Sequence, residues 1–103
     1  MSYIDAGSTK KIGKYELMIS RPIGIWTAFM LSIYKYRDPK DVRTRKKVWN
    51  SGYTHTKLVT DQYASLTTVR KIEAFLDKYP YHGEAWEAKW CCDESRQMGQ
   101  PRR

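Results

Sequence analysis

The sequence predicts an α+β fold: a small antiparallel β-sheet of about three strands, covered by one main C-terminal helix and closed at an edge by a second short helix. Three patterns predict it. Residues 14–20 alternate with period two, residues 25–37 are rich in β-branched and aromatic side chains, and apolar residues recur at helical spacing from residue 65 until Pro80.

In residues 14–20, Tyr15, Leu17 and Ile19 share one face while Lys14, Glu16, Met18 and Ser20 share the other, as in a half-buried strand. Arg21, Pro22 and Gly24 then mark a turn. Residues 25–37 fit two periods. Ile25, Phe29, Ile33 and Tyr36 would make a helical stripe, giving a mostly helical protein as the alternative fold. The strand is favoured because Ile25, Thr27, Phe29, Leu31 and Ile33 alternate, with no cap or stop before Asp38-Pro39. A third strand is expected over residues 46–59, interrupted at Asn50-Ser51-Gly52 by a bulge or a second tight turn. The segment between the second and third strands becomes the tip and shoulders of a long hairpin.

Ser65 or Thr67 can cap the main helix, whose stripe is Leu66, Val69, Ile72, Leu76 and Tyr79, and Pro80 stops it. A second helix is expected over residues 83–96, with Trp86 and Trp90 on one face and Glu84 and Glu87 near its positive N-terminal end. Residues 1–13 read as a flexible N-terminal arm, 14–96 as a single compact domain, and 97–103 as a loose tail.

A chain of 103 residues buries roughly 60 to 68 % of its unfolded surface, enough for one domain without staples. Its 41 % hydrophobic and 14 % aromatic content excludes intrinsic disorder and points to an aromatic core. No run approaches the roughly 18 to 20 apolar residues that span a bilayer, and residues 1–13 lack a signal-peptide apolar run, so a cytoplasmic protein is expected. Cys91 and Cys92 are adjacent and read as reduced thiols. With His55 and His82 they lack the Cys-x-x-Cys spacing of a zinc site, and no cofactor or metal is expected.

The charge is segregated. The net charge is +8, and the first 57 residues hold twelve Lys and Arg against four Asp and Glu, whereas the rest hold seven against seven. Lys35, Arg37, Lys40, Arg43, Arg45, Lys46 and Lys47 fall within thirteen residues, relieved only by Asp38 and Asp41 and flanked by Tyr34, Tyr36, Trp49 and Tyr53. Cations in such density displace the counterions condensed on nucleic acid, and aromatic rings add stacking where bases are unpaired. The expected function is therefore noncatalytic binding of nucleic acid, DNA or RNA, through the basic hairpin, with those four aromatics as stacking groups. A second class fits the same features: a small viral or mobile-element product that inhibits a host protein by occupying its nucleic-acid-facing or acidic surface.

The order of three strands followed by a helix, over residues 14–79, is similar to that of the AP2-like domains of phage integrases, which place a sheet on DNA. The resemblance lies in element order and carries no individual residues. A helix-turn-helix reader is disfavoured, because Glu84, Glu87, Asp93 and Glu94 stand against Lys89 alone over residues 83–94 of the second helix. Catalysis is disfavoured as well. Glu87-Ala88-Lys89 lies in a predicted helix rather than the strand that metal-dependent nucleases use, His55 has no assignable nucleophile, and no phosphate-binding glycine loop occurs.

Overall fold

Antiparallel pairing joins the strands in chain order. The computed structural model describes residues 8–21 and 28–97. Strands β1 (Thr9–Ile12), β2 (Tyr15–Ser20), β3 (Ala28–Tyr36) and β4 (Arg45–Asn50) lie side by side, and β5 (Thr54–His55) pairs with the start of β3. Helices α1 (Thr56–Ser65), α2 (Val69–Lys78) and α3 (Glu84–Gln97) follow. The class is α+β as expected, with more strands and one more helix than the sequence reading contained. Pro22, Gly24, Ile25 and Thr27, most of the expected arm, and residues 98–103 of the expected tail lie outside the described residues.

Segment Thr9–Ile12, expected within the flexible arm, is an edge strand paired with β2 from Thr9↔Met18 to Ile12↔Tyr15. Its four residues are too few and too polar to show a clear alternation. The turn into β2 is made by Gly13, whose φ of +59° suits a tight hairpin and whose missing side chain leaves room for Val69; a Cβ there would lie 2.5 Å from Val69 Cγ2. Lys10 lays its stem across Tyr63, with Nζ 4.4 Å from the ring centroid and 2.5 Å from the Tyr63 carbonyl oxygen to which it donates.

The segment after β4 departs most from expectation. Residues 46–59 are not one interrupted strand, because β4 ends at Asn50 and α1 begins at Thr56. Leu58 and Val59 are both buried. Adjacent side chains point to opposite faces of a strand, whereas a helix carries residues 58, 59 and 62 toward one layer. His55 caps α1, its Nδ1 accepting from the Lys57 amide at 3.3 Å. The bend at residues 50–53 is stitched to β3 by Ser51, whose amide donates to the Leu31 carbonyl and whose hydroxyl accepts from the Leu31 amide, each at 2.9 Å.

Helix α2 starts after Thr68, which accepts from the Lys71 amide at 3.1 Å. Thr68, rather than Ser65 or Thr67, is the N-cap because its extended backbone aims its hydroxyl at the first turn. All the helices feed one core with the sheet face of Tyr15, Leu17, Ile19, Phe29, Leu31 and Ile33. Ile72 and Trp86 are fully buried at its centre, while Leu76 and Trp90 are only partly buried. Trp86 is thus a core residue.

Asp93 locks α3 to α2. It is buried and accepts from the Tyr79 hydroxyl at 3.1 Å, with Lys89 at 3.5 Å and Lys78 at 3.7 Å. Burial pushes its pKa up, but the hydroxyl and the two ammonium groups outweigh that and hold the carboxyl below its ordinary value. A depressed folded-state pKa stabilises above the unfolded value, and that stability is lost as pH falls through the folded value.

Ile72→Ala is expected to cost about 2 to 5 kcal/mol, lowering the melting temperature by roughly 4 to 8 °C per kcal/mol, and Leu76→Ala distinctly less. Trp86→Ala is expected to cost about 3 to 5 kcal/mol. Thermal melts check this order, and equal effects at Ile72 and Leu76 would contradict the packing. Asp93→Asn is expected to flatten the loss of stability on acidification below the ordinary aspartate range, measured as melting temperature against pH.

Candidate functional site

The hairpin between β3 and β4 carries every cation of the 35–47 cluster, and residues 45–48 are all exposed. Its connecting loop is organised by three side chains. The Thr44 hydroxyl accepts from the Asp38 amide at 3.1 Å and lies 2.7 Å from the Asp41 carbonyl oxygen, its acceptor. Asp38 accepts from the Lys40 amide at 3.0 Å. Asp41 caps the single 3-10 turn at Val42–Thr44, accepting from the Arg43 amide at 3.0 Å and from the Arg43 guanidinium through both oxygens at 3.1 Å. The guanidinium holds the Asp41 carboxyl below its ordinary pKa. Both acids of the cluster are therefore engaged in holding the loop, and Arg43 is the cation that Asp41 neutralises.

A register shift decides which way the remaining cations point. Ile33 pairs with Trp49 but Tyr34 pairs with Lys47, so Val48 is an extra residue in β4. Beyond this bulge, Lys46 faces Lys35 on the helix side of the sheet, whereas Arg45 and Lys47 share the opposite side with Tyr34 and Tyr36. On that opposite side, the Arg45 guanidinium lies 4.4 Å from the Tyr34 ring centroid and pairs with Glu16 at 3.2 Å, while Lys47 Nζ lies 5.7 Å from the same ring. The Tyr36 hydroxyl donates to Glu16 at 2.9 Å, Lys11 Nζ lies 4.2 Å over its ring, and Lys11 also donates to the Pro39 carbonyl. The bond to the Glu16 carboxylate is the main reason the Tyr36 pKa is raised. Among the described residues, Lys35, Arg37, Lys40 and Lys46 have no carboxylate partner.

The four expected stacking groups are not brought together. Trp49 is buried, with its ring edge-on to Phe75 at 4.9 Å and to Trp86 at 5.2 Å, and its indole N–H donates to the Tyr79 carbonyl at 3.0 Å and also to the Tyr81 carbonyl. Such a ring offers no face to a base. Tyr36 is buried too, roofed by Lys11 and tied to Glu16. Tyr53 is exposed but stands in the bend beyond Asn50, at the opposite end of β4 from the loop. Tyr34 alone remains on the hairpin, half-buried beneath Arg45. Lys11, Glu16, Thr44 and Val48 join the surface without having been singled out from sequence. Lys11 is brought there by the pairing of β1 with β2, Glu16 by the pairing of β2 with β3, Thr44 by the connecting loop and Val48 by the bulge in β4.

Elsewhere, Cys91 and Cys92 are exposed. Among the described residues no three His, Cys, Asp or Glu side chains are arranged to hold a metal ion, and no helix is long and apolar enough to cross a membrane. No protein-family model, curated protein or solved structure matches the chain.

Trp49→Phe keeps a ring in the core but removes the indole donor from two carbonyls, and is expected to cost about 1 to 3 kcal/mol. Measured well below the melting temperature, anion or nucleic-acid affinity is expected to stay within about twofold of the parent, far from the 1 to 3 kcal/mol that a stacked base contributes. Full stability with weakened binding would instead return Trp49 to the stacking role.

Proposed function

We propose that this chain is a small noncatalytic binding protein that engages nucleic-acid phosphates through the β3–β4 hairpin. The observation that carries this reading is the uncompensated charge. Asp38 and Asp41 are engaged in the loop, so Lys35, Arg37, Lys40, Lys46 and Lys47 stand on one exposed hairpin without carboxylate partners among the described residues. Water and mobile anions stabilise such a group only weakly, whereas a polyanion releases its own counterions on meeting it.

The aromatic contribution is small. Tyr34 is half-buried and stacked by Arg45, so bases add little and the backbone dominates. Binding of this kind tolerates many sequences, because phosphate contacts position a partner without reading its bases.

Fluorescence anisotropy with labelled single-stranded and duplex oligonucleotides tests this reading. The expected result is micromolar or tighter affinity at about 50 mM salt, with a log-log salt slope of roughly −4 to −5 on duplex, the value for four to six phosphate contacts. Scrambling the oligonucleotide sequence is expected to change affinity by less than a factor of about ten, short of the 1 to 3 kcal/mol per base that direct readout supplies at several positions. No detectable binding at that salt, or binding without salt dependence, contradicts the proposal.

A further inference from the structure

We infer that the helix-side face of the hairpin contains a discrete phosphate subsite: a hollow of about 280 Å³ lined by Lys35, Arg37, Thr44, Lys46 and Val48. This rests on the nucleic-acid reading of the hairpin and names the place within it where a single phosphate group sits.

The first argument comes from strand register. Lys35 and Lys46 are direct cross-strand partners. Like charges directly opposite each other in an antiparallel pair are destabilising, and a sheet that avoids them usually sets an acid in one position. Here none is close. Glu16 lies on the other side of the sheet with Arg45 and Tyr36, Asp41 is held by Arg43, and Asp38 caps the Lys40 amide. Arg37, two residues beyond Lys35, adds a third positive group to the same hollow, and none of the three has a hydrogen-bonding or ion-pair partner among the described residues.

The second argument is that the hollow has walls. Val48, the extra residue of the bulge, supplies an apolar side, and Thr44 supplies a rigid one because its hydroxyl is already engaged with Asp38 and Asp41. The charged donors among the lining residues are thus two ammonium groups and one guanidinium. The guanidinium presents a planar fork that can take two phosphate oxygens, and the ammonium groups supply compact charge beside it. The ligand is a phosphate group, either a diester of the strand backbone or a monoester at a strand end. A monoester carries about −1.5 to −2 at pH 7 and so answers more of the local charge.

Convergence of three cations on one phosphate has a signature that three scattered contacts lack. In the full chain, replacing Lys35, Arg37 and Lys46 together by Gln is expected to weaken binding of a labelled single strand at least tenfold. It should flatten the log-log salt slope by only about 0.7, the share of one single-strand phosphate. A flattening of about 2 would mean three separate phosphates and would overturn the shared hollow. So would unchanged affinity in this variant combined with loss of binding in Lys40→Gln/Arg43→Gln/Lys47→Gln, a result that leaves the nucleic-acid reading standing.

Inorganic phosphate separates the two proposals from the other side. It is expected to shift the Arg37 side-chain and Val48 methyl NMR signals saturably, and to raise the melting temperature of the parent but not of the Lys35/Arg37/Lys46 variant. Saturation with phosphate and no response to oligonucleotides keeps the subsite and removes the nucleic-acid reading; no saturable shift removes the subsite. Oligonucleotides with a 5′-phosphate and a 5′-hydroxyl distinguish the sources. A preference for the phosphorylated end that vanishes in the variant assigns the hollow to a strand end, and equal binding assigns it to the backbone.

Discussion

Trp49 fixes the position of β4 against both layers of the molecule. Its ring is edge-on to Phe75 of α2 and Trp86 of α3, and its N–H reaches the carbonyls of Tyr79 and Tyr81 in the segment between those helices. Rotating it out of the core would forfeit a large aromatic burial and leave buried carbonyls unpaired, a loss of several kcal/mol. The strand therefore cannot slip. With Trp49 held inward, the extra residue at Val48 is accommodated as a bulge, and the bulge sends Lys46 to one side of the sheet and Arg45 and Lys47 to the other.

The energetic balance explains why the fold tolerates so much unrelieved charge. A like-charge cross-strand pair such as Lys35 and Lys46 costs a fraction of 1 kcal/mol where both groups are exposed. Each large side chain in the core contributes several times that. Core packing wins by a wide margin, so the hairpin can hold an electrostatically unfavourable arrangement without threatening the structure beneath. The loop reinforces it, since Asp38 and Asp41 are directed to backbone amides and Arg43 rather than to the other cations. Structural support and the proposed ligand attraction are thus divided between residues that lie close together in sequence.

Much of the sheet and of α2 was legible in the sequence because their signals are periodic and local. Tyr15, Leu17 and Ile19 alternate, as do Phe29, Leu31 and Ile33, and all six are buried as the alternation requires. Helix α1 was not legible, because Thr54, Thr56, Val59 and Thr60 carry strand propensity and only the shared burial of Leu58 and Val59, a tertiary fact, makes the segment helical. Strand β1 was hidden by its lysines. At the site, the cluster of cations was legible but its division into two faces was not, since a one-residue bulge has no signature in composition. Nor does an aromatic beside a basic run announce whether it is a stacking group or a core anchor. Trp49 and Tyr34 flank the same stretch, and only the packing of α2 and α3 separates them.

The central claim is that the β3–β4 hairpin is the binding surface and that the helices serve as its support. Amide hydrogen exchange of the full chain, with and without a saturating single-stranded oligonucleotide, tests it most directly. The account predicts added protection concentrated over residues 35–48, with α2 and α3 unchanged apart from any uniform gain in global stability. Protection centred on α2 or α3, with the hairpin amides unaffected at saturation, would contradict it.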